Sequence, residues 1–186
     1  MENYIQSNNR LDSRKKVFQE LIKFFDEKKI GYCILGNNSG FSENITSDID
    51  LFLEFKDKKS LFKLIKEFCL TNKLKIFNIL QHEINSFYFI IVYQNHLKKS
   101  QFLQLDLCNE YIVDNHRILK FDNLASKSLV KLGDIKFRIL NPEFELTYYL
   151  LKKIYKLEIN DQHFNHIYSQ SDQIKDLHSS EITKYF

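Results

Sequence analysis

Apolar residues recur along this chain with the spacing of amphipathic helices in three places. The first such segment begins near residue 15, and the second has Ser60 as its expected N-cap. The third follows Asn141 and Pro142, the residue types preferred at the N-cap and the first helical position. Glu143 and Glu145 would lie in its positively polarised first turn. The pattern therefore predicts three well-defined helices.

Five shorter segments are continuously apolar or alternate between apolar and polar residues, which is typical of strands. They cover residues 30–35, 48–53, 75–80, 87–93 and 102–108. Their order among the helices predicts an α+β fold, in which a mixed β-sheet of about five strands is backed by helices and followed by a C-terminal helical segment. The apolar stretches between residues 109 and 138 are too short to classify.

The distribution of these elements predicts one main domain. We expect a polar N-terminal segment over residues 1–14, the domain itself over 15–157, and a polar helical tail over 158–186. A chain of 186 residues, of which 44% are hydrophobic, is large enough to bury a substantial core.

The charges are nearly balanced. There are 27 basic and 24 acidic residues, which gives a formal net charge of +3. Nucleic-acid-binding proteins usually have a clearly higher pI and concentrate basic residues on one face. The composition therefore does not favour nucleic acid as a partner.

Three features predict a cytoplasmic protein that is not inserted into a membrane. Cys33, Cys69 and Cys108 lie in apolar stretches and are odd in number, as expected for buried thiols in a reducing compartment. The first residues lack the pattern of a signal peptide. No uninterrupted apolar run approaches the roughly 20 residues that a membrane-spanning helix needs.

Three acidic residues lie in the predicted strands in a way that suggests a metal site. Asp48 and Asp50 are two residues apart, so in a strand their side chains point to the same face. Asp106 lies on the polar face of a later strand and would join them if the two strands were neighbours. Clustered carboxylates repel each other unless a cation lies between them, and oxygen ligands suit Mg²⁺. We therefore predict a magnesium site.

A glycine-containing loop precedes the first two acids. Gly36 and Asn37 open it, and small residues allow backbone N–H groups to approach a phosphate closely. Without the acids, Gly36 and Asn37 would be read as an ordinary turn. Together, the loop and the acids predict a combined metal and phosphate site.

This arrangement resembles the nucleotidyltransferase superfamily of the DNA polymerase β type. The residues that carry the resemblance are Gly36-Asn37, Ser47-Asp48-Ile49-Asp50 and the later strand residue Asp106. The likeness spans roughly residues 15 to 157, but it depends on few specific residues. It departs from the family pattern at Asn37, where Ser or Gly is more common.

The resemblance implies a magnesium-dependent enzyme, with Mn²⁺ as a possible substitute, that moves a nucleoside monophosphate from an NTP onto a hydroxyl or phosphate. Asp48 and Asp50 would bind both metal ions, and Asp106 would bind one of them and help to activate the acceptor. Gly36, Asn37 and Ser47 would contact the nucleotide. Family members also often place a basic residue of the late helix near the phosphates, which here points to Lys152 and Lys153.

The chain is most similar to bacterial nucleotidyltransferase domains that often occur in surface-polysaccharide gene clusters. That likeness suggests a carbohydrate or another small molecule as the acceptor. Two alternatives stay open: a non-catalytic binding module of the same fold, and an antitoxin-like nucleotidyltransferase that acts on a partner protein. A glycosyltransferase fits less well, because its Asp-x-Asp motif normally ends a strand, whereas this one begins a strand.

Several other polar residues have simpler interpretations. Lysines on an amphipathic helix usually face solvent, so the residues alone favour a solvated face for Lys152 and Lys153. Arg117 and Arg138 could each clamp a phosphate but belong to no motif. His163 and His166 have helical spacing for a metal pair but no third ligand nearby in the sequence, so we expect surface histidines.

Overall fold

The structure is a computed structural model in which most of the chain can be described. The described residues are 13–36, 45, 48–95, 97–113, 116–120, 129–132, 135–157 and 159–171.

Four helices occur in this part of the chain. They are α1 (Arg14–Glu27), α2 (Lys58–Thr71), α3 (Pro142–Lys156) and α4 (Asp161–Ser171). Asn141 caps α3 as expected, because its side chain accepts a hydrogen bond of 2.9 Å from the backbone N–H of Phe144.

The cap of α2 differs from the prediction. Asp57, not Ser60, is the N-cap, and its carboxylate accepts a 2.8 Å hydrogen bond from the backbone N–H of Ser60. The hydroxyl of Ser60 is bonded in return to the backbone of Asp57, which completes a capping box. The helix therefore begins at Lys58, earlier than predicted.

A five-stranded mixed sheet forms the centre of the fold, with strand order β1-β2-β5-β4-β3. Its strands are β1 (Tyr32–Ile34), β2 (Ile49–Leu53), β3 (Lys75–Glu83), β4 (Ser86–Gln94) and β5 (Ser100–Cys108). β2 and β5 pair in parallel, and the other neighbours pair antiparallel. All five predicted strands are present, and the predicted α+β fold class is confirmed.

One face of the sheet holds the main core. Leu103, Leu105 and Leu107 of β5 are fully buried there, as their alternation predicted, and α1 and α2 pack on the same side. The other face is covered in part by α3, where Phe52 of β2 contacts Tyr148, with 5.7 Å between the ring centroids. Gln104 and Asp106 of β5 lie on this second face.

Two hairpins occupy the stretch that the sequence could not classify. The first consists of β6 (Glu110–Val113) and β7 (His116–Lys120), and the second of β8 (Leu129–Leu132) and β9 (Ile135–Arg138). Within the predicted tail, α4 packs against α3 through Tyr149, whose ring centroid is 4.5 Å from that of His166. Residues 172–186 lie outside the described residues.

Candidate functional site

The two strands that carry the predicted acids are neighbours. In their parallel pairing, Asp50 of β2 is the direct partner of Asp106 of β5. Neighbouring strands lie about 4.8 Å apart, and partners in a register project from the same face. Both side chains are partly buried, and Asp48 is exposed directly before β2. The structure thus brings Asp50 and Asp106 together, with Asp48 two residues from Asp50.

Asp106 lies where a negative charge is costly. Burial raises the pKa of its carboxyl group, and the nearby charge of Asp50 raises it further. His82 and Lys152 partly offset these effects on the pKa, as does the Ser86 hydroxyl, which donates a hydrogen bond of 3.4 Å to Asp106 Oδ1. Two like charges in one cross-strand row favour binding of a cation.

A lysine supplies positive charge at this point. Lys152 Nζ of α3 donates a 3.0 Å hydrogen bond to Asp50 Oδ2, and the two side chains are 27% and 30% exposed. Burial lowers the pKa of Lys152, but the charge and hydrogen bond of Asp50, together with Asp106, outweigh that effect and raise it overall. The expectation of a solvated face is therefore wrong for Lys152.

The packing of α3 explains why Lys152 reaches Asp50. Tyr148 and Leu151 of α3 are buried with Phe52 of β2, next to Asp50. The Lys152 ammonium lies 5.4 Å from the centroid of the Tyr148 ring, so the aromatic side chain lies alongside the ion pair. The aromatic contact between α3 and β2 thus fixes the position of the lysine.

Glu145 is a site residue that the sequence analysis assigned only to the first turn of a helix. Its Oε1 accepts a 3.0 Å hydrogen bond from the backbone N–H of Gly36, which has a positive φ of 71°. Burial raises the pKa of Glu145 to about 7, against the lowering effects of the Gly36 hydrogen bond and Lys152. This contact connects α3 to the first residue of the glycine loop, and its long separation in sequence left no local signal.

Tyr88 of β4 was also missed. It is the direct partner of Asp106 on the opposite side of β5 from Asp50, so the three residues form one row across the sheet. Burial raises the pKa of the Tyr88 hydroxyl, and the charges of Asp48, Asp106 and Asp50 raise it further. The row therefore continues the acidic site onto β4.

The remaining predicted nucleotide contacts are placed less directly. Asn37 and Ser47 lie outside the described residues. The Lys153 ammonium lies 5.7 Å from the centroid of the Tyr149 ring, and Tyr149 packs against α4. The structure brings Lys152 to the acid pair and places Lys153 on the side of α3 that faces α4.

The two candidate arginines have partners elsewhere. Arg117 forms an ion pair of 2.8 Å with Glu110, and the Arg138 guanidinium lies 5.8 Å from the centroid of the Tyr32 ring. His163 and His166 are partly buried against Tyr149, so they are not the surface histidines that we expected.

The three cysteines form no disulfide. Cys33 and Cys69 are buried as predicted, and Cys108 is partly buried. Burial, together with Asp106 and Asp50, raises the pKa of Cys108 well above its usual value of 9.0. A thiol with a raised pKa is a poor nucleophile at neutral pH, which agrees with a packing role.

The donor set at the acid pair fits a hard divalent cation only in part. Among the described residues, no three His, Cys, Asp or Glu side chains are grouped as a ready metal site. Mg²⁺, however, is commonly held by one or two carboxylates, with waters and substrate phosphates completing the shell. Asp50 and Asp106 can supply that pair, and Asp48 is the nearest further carboxylate in sequence.

No helix in the described part of the chain is long and apolar enough to cross a membrane. Comparison of the chain with protein-family models, curated proteins and solved structures finds no match. The resemblance to nucleotidyltransferases therefore stays a prediction from the residues named above.

Proposed function

We propose that this protein is a metal-dependent nucleotidyltransferase that moves a nucleoside monophosphate from an NTP to a hydroxyl or phosphate of a small-molecule or carbohydrate acceptor. The observation that supports this most strongly is the direct pairing of Asp50 with Asp106 on one face of the sheet. These two acids are separated by more than fifty residues in sequence, yet the fold places them side by side. Such a pair matches what a transferase of this class requires.

In this proposal the acids hold Mg²⁺, which when bound would neutralise charge on the transferring phosphoryl group. Asp50 and Asp48 flank the entry to β2, and Asp106 offers a carboxylate from the next strand. In the proposal Asp106 would be one of the metal ligands and would help to activate an acceptor hydroxyl bound beside it.

The positive and polarised groups around the acids would orient the nucleotide. Lys152 provides a cation next to Asp50, and the backbone N–H of Gly36 is hydrogen-bonded to Glu145 of α3. An incoming triphosphate would give the Lys152 ammonium an alternative partner of higher charge than Asp50. The lysine would then pass from the carboxylate to a phosphate oxygen as the nucleotide binds.

The experiment that tests this function is isothermal titration of the full chain with each of the four NTPs, with and without Mg²⁺. Asp48→Asn, Asp50→Asn and Asp106→Asn keep the side-chain shape and remove the charge. We expect binding that needs Mg²⁺ and is lost or strongly weakened in Asp50→Asn and Asp106→Asn. If no NTP binds, or if binding is the same in all variants, the protein is not a nucleotidyltransferase.

A second candidate function is a non-catalytic domain of the same fold. The specific observation in its favour is the ion pair between Lys152 and Asp50, because an internal cation reduces the need for a metal. This candidate predicts NTP or partner binding that is independent of Mg²⁺. The same titration therefore distinguishes the two functions.

A further inference from the structure

The face of the sheet that carries the acid pair continues beyond it as an open apolar surface. Along β4 and β5, the side chains opposite the core form successive cross-strand pairs. These pairs are Tyr88 with Asp106, Ile90 with Gln104, and Val92 with Phe102. The surface therefore begins at the acids and runs along both strands away from them.

β3 widens this surface. Leu80 is the direct partner of Tyr88, so it extends the row that contains both acids. The ring of Phe77 lies 6.0 Å from that of Phe102, centroid to centroid, which places Phe77 at the far end of the same face. We call the surface formed by the following six residues the apolar strip: Phe77, Leu80, Tyr88, Ile90, Val92 and Phe102.

The apolar strip is open to solvent. Phe77, Leu80 and Phe102 are 70%, 45% and 40% exposed, respectively. α3 packs on this side of the sheet at the other end, where it is buried against Phe52 and Cys33. Exposed apolar side chains that are grouped beside a polar site occur at interaction and ligand-binding surfaces.

The dimensions and chemistry of the strip limit what can occupy it. Phe102 lies four positions before Asp106, which corresponds to about 13 Å along a strand. Over that length the six apolar side chains share the face with three polar ones, Lys75, Asn78 and Gln104, and the carboxylates of Asp50 and Asp106 lie at one end. A matching ligand has an apolar or aromatic body and one polar, reactive end.

We propose that the apolar strip binds the apolar body of the acceptor and so places its hydroxyl or phosphate beside Asp106. This inference rests on the proposed function and names its acceptor class: a small amphipathic molecule, in place of a fully polar sugar. The strip adjoins Asp106 through Tyr88, whereas the phosphates of the nucleotide are assigned to Lys152 and Gly36 on the α3 side. We therefore assign the strip to the acceptor and not to the nucleotide.

The test compares two probes that differ only in their apolar body, phenyl β-D-glucoside and methyl β-D-glucoside. Each is titrated into the ¹⁵N-labelled full chain, without metal or nucleotide, and binding is followed by backbone amide shifts. We expect phenyl β-D-glucoside to shift amides of β4 and β5 and to bind about tenfold more tightly than the methyl compound, the size of one good aromatic contact.

Variants locate the binding surface. Phe77→Ser and Phe102→Ser remove exposed rings from the strip, and we expect each to weaken phenyl β-D-glucoside binding several-fold while leaving Mg²⁺-dependent NTP binding intact. Phe164→Ser is the matched control, because Phe164 of α4 is 61% exposed and lies outside the strip. Thermal unfolding of each variant checks that the fold is retained.

The outcomes separate this inference from the proposed function. If the two glucosides bind equally well, the proposal that the apolar strip binds the acceptor is wrong, even if Mg²⁺ and NTP bind as proposed. The same holds if Phe164→Ser weakens phenyl β-D-glucoside binding as much as the strip variants do. A dimer of the wild-type chain that dissociates on Phe102→Ser also overturns it, because a second copy then covers the strip. Probe binding at the strip without any NTP binding rejects the nucleotidyltransferase and, with it, the acceptor assignment.

Discussion

Asp50 of β2 and Asp106 of β5 are direct partners in a parallel strand pair, and the ammonium group of Lys152 lies 3.0 Å from Asp50. The site thus holds two carboxylates in one row and an internal cation at one end of that row. Within the described residues, the Lys152 ammonium group balances only part of the negative charge of the two carboxylates.

Replacing Asp106 by Asn should separate function from stability. Because burial and Asp50 raise the pKa of Asp106, the folded state binds its proton more tightly than the unfolded chain, so this group lowers stability as the pH rises above 3.8. Asp106→Asn should therefore be at least as stable as wild type at pH 7 in urea unfolding. Its Mg²⁺-dependent NTP affinity should fall by at least roughly tenfold, because replacing even a residue that only hydrogen-bonds to a metal ligand typically lowers metal affinity by that factor.

Replacing Lys152 by Met should have opposite effects on metal and nucleotide. Without the ammonium group, Asp50 is free for a cation, so Mn²⁺ affinity in the absence of nucleotide should rise roughly three- to tenfold. NTP affinity should fall, because a phosphate partner is lost. Titrations of both ligands check this, and Lys156→Met, an exposed lysine of the same helix, serves as the control. Weaker metal binding in Lys152→Met would contradict the counter-ion role.

Glu145 should give the protein a pH-dependent stability. Its pKa rises from 4.5 to about 7 on folding, so the folded state binds its proton more tightly, and this group lowers stability as the pH rises from about 4.5 to 7. Glu145→Gln keeps an oxygen that can accept from Gly36 N–H but never carries charge. The stability of the variant relative to wild type should increase across this range, by up to about 3 kcal/mol.

Urea unfolding of both proteins at several pH values measures that difference. The charges of Lys152 and Asp50 both affect the pKa of Glu145, so the measurement is made without metal or nucleotide, which would change those charges. A difference that stays constant between pH 4.5 and 8 is incompatible with a buried, neutral Glu145.

The contact between Phe52 and Tyr148 should be important for stability. Phe52 is fully buried, and removal of its ring in Phe52→Ala should lower the free energy of unfolding by about 3–5 kcal/mol. The matched change Phe164→Ala, at a 61% exposed position, should alter it by less than about 0.5 kcal/mol. Similar values for both variants would show that α3 is not held on the sheet by this contact.

Local patterns were sufficient to predict the layers of the fold. Alternation in 103–107 assigns the leucines to the core and Asp106 to the other face, because successive side chains of a strand point in opposite directions. Asn141 and Pro142 mark the start of α3 because both residue types favour helix starts. The cap of α2 was misassigned because Asp57 and Ser60 are both good capping residues, and their mutual hydrogen bonds decide between them.

The candidate site was only half predictable. The sequence indicates that Asp50 and Asp106 belong to strands, but not that those strands are neighbours, since strand order depends on packing of the whole sheet. Lys152 and Glu145 could not be found at all by spacing. Their partners, Asp50 and Gly36, lie about a hundred residues earlier, and only the docking of α3 brings them together.

The most direct test of the metal site is a titration of the ¹⁵N-labelled protein with Mn²⁺, whose unpaired electrons broaden nearby amide signals. The acid pair predicts that the amides of β2 and β5 next to Asp50 and Asp106 broaden first, that Mg²⁺ reverses the effect, and that Asp50→Asn abolishes it. Broadening that begins elsewhere, or that persists unchanged in Asp50→Asn, would contradict a metal site at these two residues.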